Sequence, residues 1–288
     1  MNSQKKKKIA VLGARGMLGQ AMTRIVSENH FDTRGFAISE VDITKPDTIA
    51  EMFDRFSPQV VINCAAFTDV DACETERERA MKVNAEGVYN IAEISNKRNA
   101  LVVHISTDYI FDGTKKSPYK EEDIPSPLNF YGESKYLGEK SLIEATDDYI
   151  ILRTEWLYGE GGKNFVFTML DKQKRGEIIE VVDDQIGSPT LTDEVAYAVV
   201  GLLNNNCRGV YNFSSAGECS WYDFAKKIFE VSGLPAQINA IKSSMIKRPA
   251  VRPKYSVLDC SKIKRDANIS IKVWDEALSA FIRNLKLK

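Results

Sequence analysis

Residues 9–19 read IAVLGARGMLG, from Ile9 to Gly19, and this stretch decides the fold. Ile9 to Leu12 is a short, continuously apolar run, the pattern of a strand buried on both faces. From Leu18 to Ile25 the apolar residues return at helical spacing, so the order is strand, glycine turn, helix. Gly13, Gly16 and Gly19 fill the turn with GxxGxxG spacing, where the commoner dinucleotide fingerprint is GxGxxG. Glycines at such a turn let the backbone bend tightly and approach a pyrophosphate, which the N–H groups and positive dipole end of the helix then hold. A turn that only packs helix on strand uses glycine in the same way. The strand before and the helix after favour the nucleotide reading.

Outward from this turn the alternation continues. Thr33 to Ile38 reads as the second strand, Ile49 to Phe56 as a helix, Val60 to Cys64 as a buried strand, Ala80 to Ala92 as a helix and Leu101 to Ile105 as another buried strand. Strands apolar on both faces and separated by helices imply a parallel sheet covered on both sides. Phe111 to Asn129, rich in Gly, Pro, Ser and Lys, reads as a long loop of the kind that lines a site. A helix from Tyr131 to Glu144 and a strand from Tyr149 to Leu152 follow, then a less regular half containing Pro189, Pro235, Pro249 and Pro253. The expected fold is α/β, a doubly wound parallel sheet of the Rossmann type with a smaller, interleaved C-terminal lobe. Residues 1–155 are expected to bind the dinucleotide and residues 156–288 mainly the substrate. Segments such as 178–203 should return to the first domain, since Thr192 to Leu203 reads as a helix able to cover the sheet.

Bulk properties exclude several function classes. Lys+Arg 39 against Asp+Glu 40 leaves no overall field to attract nucleic acid or an anionic membrane, so a small molecule is the expected partner. Cys64, Cys73, Cys207, Cys219 and Cys260 are odd in number and without CxxC spacing, which argues for a reducing compartment and against disulfides or a zinc knuckle. The lysine run Lys5 to Lys8 reads as a solvated lead-in to the first strand, because the apolar stretch behind it breaks at once into the glycine turn. No segment approaches the roughly 20 apolar residues a membrane helix needs. A soluble, cytoplasmic protein is expected, with a homodimer as one possibility. His30 and His104 are too scattered for a metal site, and His104 reads as a structural strand residue.

Two further constellations carry chemistry. Tyr131 and Lys135, in YGESK, are four apart and share one face of a helix. An ammonium beside the phenol would bring its pKa from about 10 toward the working pH and make Tyr131 a general acid for a carbonyl oxygen. YxxxK is common by chance, and an exposed Tyr beside a solvated Lys is the bland alternative. Ser106, Thr107 and Asp108 follow the strand Leu101 to Ile105, and ligands of a doubly wound sheet bind at the carboxyl ends of its strands. A hydroxyl there can polarise the same carbonyl, although Ser, Thr and Asp also cap helices and turns.

GARGMLG, NCAAFTDVD, STDYIFDG, YGESK, RTEWLYG and DDQIGSPT together resemble the dTDP-4-dehydrorhamnose reductases, of the extended short-chain dehydrogenase/reductase family, over nearly the whole chain. The resemblance implies reduction of the C4 ketone of dTDP-4-dehydro-L-rhamnose by hydride from NAD(P)H, the last step toward dTDP-L-rhamnose. It implies Thr107, Tyr131 and Lys135 as the catalytic set, with Lys135 also holding the nicotinamide ribose. It places Thr68, Thr107, Asp108, Tyr109 and Trp156 at the sugar. Gly13, Arg15, Gly16, Met17, Leu18 and Gly19 fall at the pyrophosphate, Asp42 and Ile43 near adenine, and Ala65 and Ala66 beside the dinucleotide. Glu155 stands where a small residue is expected. Arg248 and Arg252 could grip a diphosphate through their guanidinium forks or be plain surface arginines.

Three rivals and one preference complete the reading. An NDP-sugar epimerase or 4,6-dehydratase shares the glycine loop and the YxxxK pair. A dehydratase typically carries an acidic pair after the Thr, whereas Tyr109 and Ile110 follow Asp108 here. A catalytically silent regulatory subunit would be expected to lose part of the set Thr107, Tyr131 and Lys135. For the cofactor, an NAD site usually offers an acid at the tip of the second strand and an NADP site a cation. Ala37, Ile38 and Ser39 precede Glu40 and Asp42, and Arg15 and Arg34 are nearby cations, so NADPH is expected to be preferred over NADH.

Overall fold

The computed structural model describes residues 6–285, so Lys5 of the lysine lead-in lies outside the described residues. A six-stranded sheet carries the fold, built from β1 (Lys8–Leu12), β2 (Asp32–Phe36), β3 (Val60–Asn63), β4 (Leu101–Thr107), β5 (Tyr149–Thr154) and β10 (Gly209–Asn212). Its order is β10-β5-β4-β3-β1-β2, and every neighbouring pair is parallel. The chain runs from β1 to β2 on one side and returns to β3 on the other. That reversal opens a crevice at the carboxyl ends of β1 and β3, the place where such sheets bind ligands.

The two-faced burial follows from the period of a strand. Ile9, Val11, Val60, Ile62, Leu101, Val103, Ile105, Ile150 and Leu152 point to one side, where they meet Leu18, Met22 and Ile25 of α1 (Met17–Glu28) and Val195 and Val199 of α8 (Thr192–Asn204). Ala10, Leu12, Val61, Val102 and Ile151 point to the other. There they meet α2 (Pro46–Phe56), α5 (Gly87–Lys97) and α6 (Phe130–Ala145) through Ile49, Ile91 and Leu142. Each fully buried aliphatic side chain is worth about 1.5–3 kcal/mol by the area it removes from water, so nearly every strand position is committed.

Between β3 and β4 the sequence period suggests a single helix over Ala80 to Ala92. The backbone instead forms α3 (Val70–Thr75), α4 (Arg77–Met81), a π-helical turn over Lys82–Glu86 and then α5. The π turn carries Asn84, whose side chain accepts from Phe67 N (2.8 Å) and donates to Phe67 O (3.0 Å) and Ser134 Oγ (3.0 Å). It therefore ties the loop after β3 to α6.

The rest of the chain interleaves with this sheet. A separate apolar core gathers Tyr158, Val166, Phe224, Ile228, Leu278 and Phe281 from β6 (Leu157–Tyr158), α7 (Phe165–Lys174), α9 (Trp221–Ser232) and α11 (Trp274–Asn284). Within residues 178–203, α8 does cover the large sheet. However, β7 (Ile179–Val182) pairs in parallel with β12 (Ile238–Ile241), away from it, since Ile179 and Val181 belong to the separate core. Short pairings join β6 to β9 (Thr190–Leu191) and β8 (Ile186–Gly187) to β11 (Cys219–Ser220). The strand that extends the large sheet is β10, which sequence period did not reveal. No helix among the described residues is long and apolar enough to cross a membrane.

Candidate active site

The turn after β1 is shaped by contact with the turn after β3. Gly13 has a left-handed φ of 74°, and a Cβ there would stand 2.7 Å from Ala65 N, closer than real Cβ atoms come. A Cβ on Gly19 would stand 2.1 Å from Gly13 O, so this glycine seats α1 on the turn. Gly16 is the N-cap of α1 and has no side chain to cap it, which leaves the first N–H groups of the helix for an anion. Gly13, Arg15, Gly16, Asp42, Ile43, Ala65 and Ala66 line one cavity of about 300 Å³. Leu18 is buried in the core and Met17 packs near Asn164, and neither they nor Gly19 line that cavity. Ile38, Val41, Thr44, Cys64, Phe67, Arg79 and Val83 complete the lining. Sequence reasoning missed these, although Cys64 and Phe67 lay inside the quoted NCAAFTDVD motif.

Strand β4 delivers the candidate reacting groups. Thr107, at its last position, donates from Oγ1 to Asp108 Oδ1 (3.0 Å) and accepts from Tyr109 N (3.2 Å). Asn129 caps α6 by accepting from Gly132 N (2.8 Å), and a Cβ on Gly132 would meet Tyr109 O at 2.1 Å. The glycine after Tyr131 therefore lets the first turn of α6 lie directly on the strand end. Tyr131 is half-buried and edge-on to Tyr109 at 5.8 Å, with the Thr107 hydroxyl near enough to ease its ionisation.

Lys135 sits one turn along α6 as the spacing predicts, but its charge does not do what the spacing suggests. Its Nζ donates to Ile105 O at 2.7 Å and faces His104 Nε2 at 3.2 Å. Burial raises the Tyr131 phenol above its ordinary value, Asp108 adds to this, and the Thr107 hydroxyl opposes it. The expected lowering by a neighbouring ammonium is thus not seen, because β4 captures the amine. Burial lowers Lys135 itself to about 8, against a smaller opposing pull from Glu139.

Asp108 and Glu155 form a pair of buried carboxyls at the ends of β4 and β5. Burial raises Asp108 to about 7, eased by Ser256 and Thr107. Burial, with Asp108 second, pushes Glu155 well above the carboxylate range. Glu155 accepts from Ser188 N (2.8 Å) and Leu258 N (3.1 Å), so the larger residue in the expected small position clamps two chain segments. Asp108 Oδ2 is buried without a hydrogen-bond partner, an acceptor that a sugar hydroxyl would satisfy.

The remaining substrate candidates divide. Trp156, with a left-handed φ of 46°, stacks one face on Trp221 at 3.6 Å. Its ring fills the space a Cβ on Gly187 would need. Thr68 is exposed on the loop after β3. Arg252 forks onto Asp71 with two 2.7 Å contacts, while Arg248 is exposed. Both arginines line a second cavity of about 400 Å³, with Lys242, Ser243 and Lys254.

The family model described as the RmlD substrate binding domain matches residues 7–287. The spore coat polysaccharide biosynthesis protein SpsK of Bacillus subtilis is 40% identical, with 96% of this chain and 97% of that protein covered. A dTDP-4-dehydrorhamnose reductase of Aggregatibacter actinomycetemcomitans is 38% identical, with 94% and 97% covered. The dTDP-4-dehydrorhamnose reductase of Bacillus anthracis str. Ames, solved in complex with NADP, aligns with a TM-score of 0.94 at 36% identity, covering 97% of this chain and 99% of that one. With the family model matched over residues 7–287 and these relatives covered along almost their full length, this chain belongs to the RmlD substrate binding domain family.

Proposed function

We propose that this protein reduces the C4 ketone of dTDP-4-dehydro-L-rhamnose with NAD(P)H, in the cytoplasm. The observation that carries the reading is the convergence of Thr107, Tyr131 and Lys135 at the carboxyl end of β4, next to the cavity of the glycine turn. That cavity fits a dinucleotide: Gly13 and Ala65 approach as only a glycine permits, and the start of α1 offers uncapped N–H donors. Bound there, the reduced nicotinamide supplies the hydride.

The chain's own residues manage the proton. Tyr131, kept neutral by burial, donates from its phenol to the carbonyl oxygen as negative charge develops on it. Thr107, at the end of β4, turns its one hydroxyl proton from Asp108 Oδ1 to that oxygen as the charge develops. Asp108 Oδ2 accepts from the sugar, and Arg248 and Arg252 in the adjoining cavity hold the diphosphate. Asp71 keeps the Arg252 fork in place.

NADPH is the favoured dinucleotide. Glu40, the acid nearest the tip of β2, accepts from Ala37 N (3.0 Å) and pairs with Arg34 (3.5 Å), so it is committed away from a ribose 2′-OH. Arg15, exposed at the cavity, is the cation placed to meet a 2′-phosphate. The test follows nicotinamide absorbance with dTDP-4-dehydro-L-rhamnose and with its UDP and GDP counterparts. Oxidation with the dTDP sugar is expected, and no oxidation with any of the three would overturn the reading.

A further inference from the structure

Lys135 ends a buried chain of hydrogen bonds whose other members take no part in the proposed reaction. The Ala65 N–H donates to Asn63 Oδ1 (3.0 Å), Asn63 Nδ2 meets His104 Nδ1 (3.1 Å), and His104 Nε2 meets Lys135 Nζ (3.2 Å). Lys135 also donates to Ile105 O (2.7 Å). Asn63, His104 and Lys135 are each at most 2% exposed, so no water can settle these contacts.

A proton inventory leaves one arrangement that satisfies them all. A backbone N–H can only donate, so it draws Asn63 Oδ1 to itself and turns the amide NH₂ toward His104. His104 Nδ1 must then accept. Burial alone keeps the ring uncharged, so its single proton sits on Nε2. That N–H points at Lys135 Nζ. An ammonium has three donors and no lone pair, whereas an amine accepts the His104 proton and still donates to Ile105.

We propose that His104, oriented by Asn63 and the Ala65 N–H, is a positioning residue that holds Lys135 as a neutral amine, and that Lys135 gains its proton when the dinucleotide binds. The second clause rests on the reductase reading. The other groups around Nζ agree with an amine. The Cys64 thiol beyond β3 is pushed up to about 12 by burial and stays neutral. Glu139, one turn along α6, is committed to Arg153 through contacts of 3.0 and 2.8 Å. Tyr131, one turn back, keeps its proton. A dinucleotide brings the negative charge of its phosphates, which raises the amine's affinity for a proton. The ammonium so formed steadies the phenolate left once Tyr131 has given its proton.

Nitrogen NMR of nucleotide-free protein at pH 8.5 tests the first clause, because an ordinary lysine, with a pKa of about 10.4, is almost wholly ammonium there. Expected are an amine at Lys135 and a His104 proton on Nε2. Asn63→Asp offers acceptors on both sides, so it should move the ring proton to Nδ1 and return Lys135 to ammonium. Calorimetry of NADPH binding in two buffers of different ionisation enthalpy tests the second, with uptake of about one proton per site expected. An ammonium at Lys135, a wild-type proton on Nδ1, or binding without proton uptake would overturn the proposal, whether or not the Asp variant folds. Failure to bind either dinucleotide would overturn the reductase reading and leave His104 to be judged by the spectra.

Discussion

Tyr131 and Glu155 show how burial, rather than charge pairing, sets the chemistry of single residues here. Tyr131 lies on the first turn of α6 with its proton held by desolvation. Losing a positioned general acid typically costs 10²–10⁴-fold. Tyr131→Phe should therefore lower kcat by about 10²-fold or more while the dinucleotide Kd stays within about threefold. An unchanged kcat in steady-state assays would remove Tyr131 as the proton donor. Glu155 makes a prediction of a different kind. A carboxyl whose folded pKa lies above its unfolded value binds more protons in the folded state. Its contribution is full below the unfolded pKa, near about 4, and is lost as pH rises through the folded one. For the pair with Asp108 that window runs from about 4 to about 7 or above. Melting temperatures should fall from pH 5 to pH 8, and Glu155→Gln, which cannot ionise, should fall less. Parallel curves for wild type and variant would show that Glu155 does not titrate in this range.

The elements were legible wherever burial on both faces wrote an unbroken apolar run. Ile9 to Leu12, Val60 to Cys64 and Leu101 to Ile105 each fall within one residue or two of β1, β3 and β4. Helix α6 was visible from its period, and with it the placement of Tyr131 and Lys135 on one face. What the sequence did not disclose depends on contacts made far along the chain. The π turn at Lys82–Glu86 exists to set Asn84 against Phe67 and Ser134, and the half-exposed start of β10 carries no clear period. The capture of Lys135 by His104 and Ile105 was hidden for the same reason, as was the partnership of Glu155 with Asp108. The glycine turn is the element on which cofactor choice depends. A guanidinium on a phosphate is worth about 1.5–3 kcal/mol, and about 1.4 kcal/mol is tenfold. Arg15→Ala should therefore raise KM for NADPH about 10- to 100-fold and leave KM for NADH within about threefold. Equal loss with both would show that Arg15 does not read the 2′-phosphate.

At the scale of the whole molecule, the fold forms two cavities of different make-up. The cavity of about 300 Å³ belongs to the glycine turn and the ends of β1 and β3, and that of about 400 Å³ to Arg248, Arg252 and the chain around β7 and β12. Arg252, which lines the second cavity, reaches back to Asp71 of α3, just after the loop that follows β3. A doubly wound sheet of this kind also serves epimerases, which take a hydride from the sugar and return it. The distinction lies in whether redox equivalents leave with the product. The most direct measurement supplies NADPH deuterated at nicotinamide C4 together with dTDP-4-dehydro-L-rhamnose and locates the label by NMR of the product. The account predicts deuterium on sugar C4, with one NADPH consumed per sugar reduced. Sugar interconverted with no net consumption of NADPH and no label at C4 would contradict it.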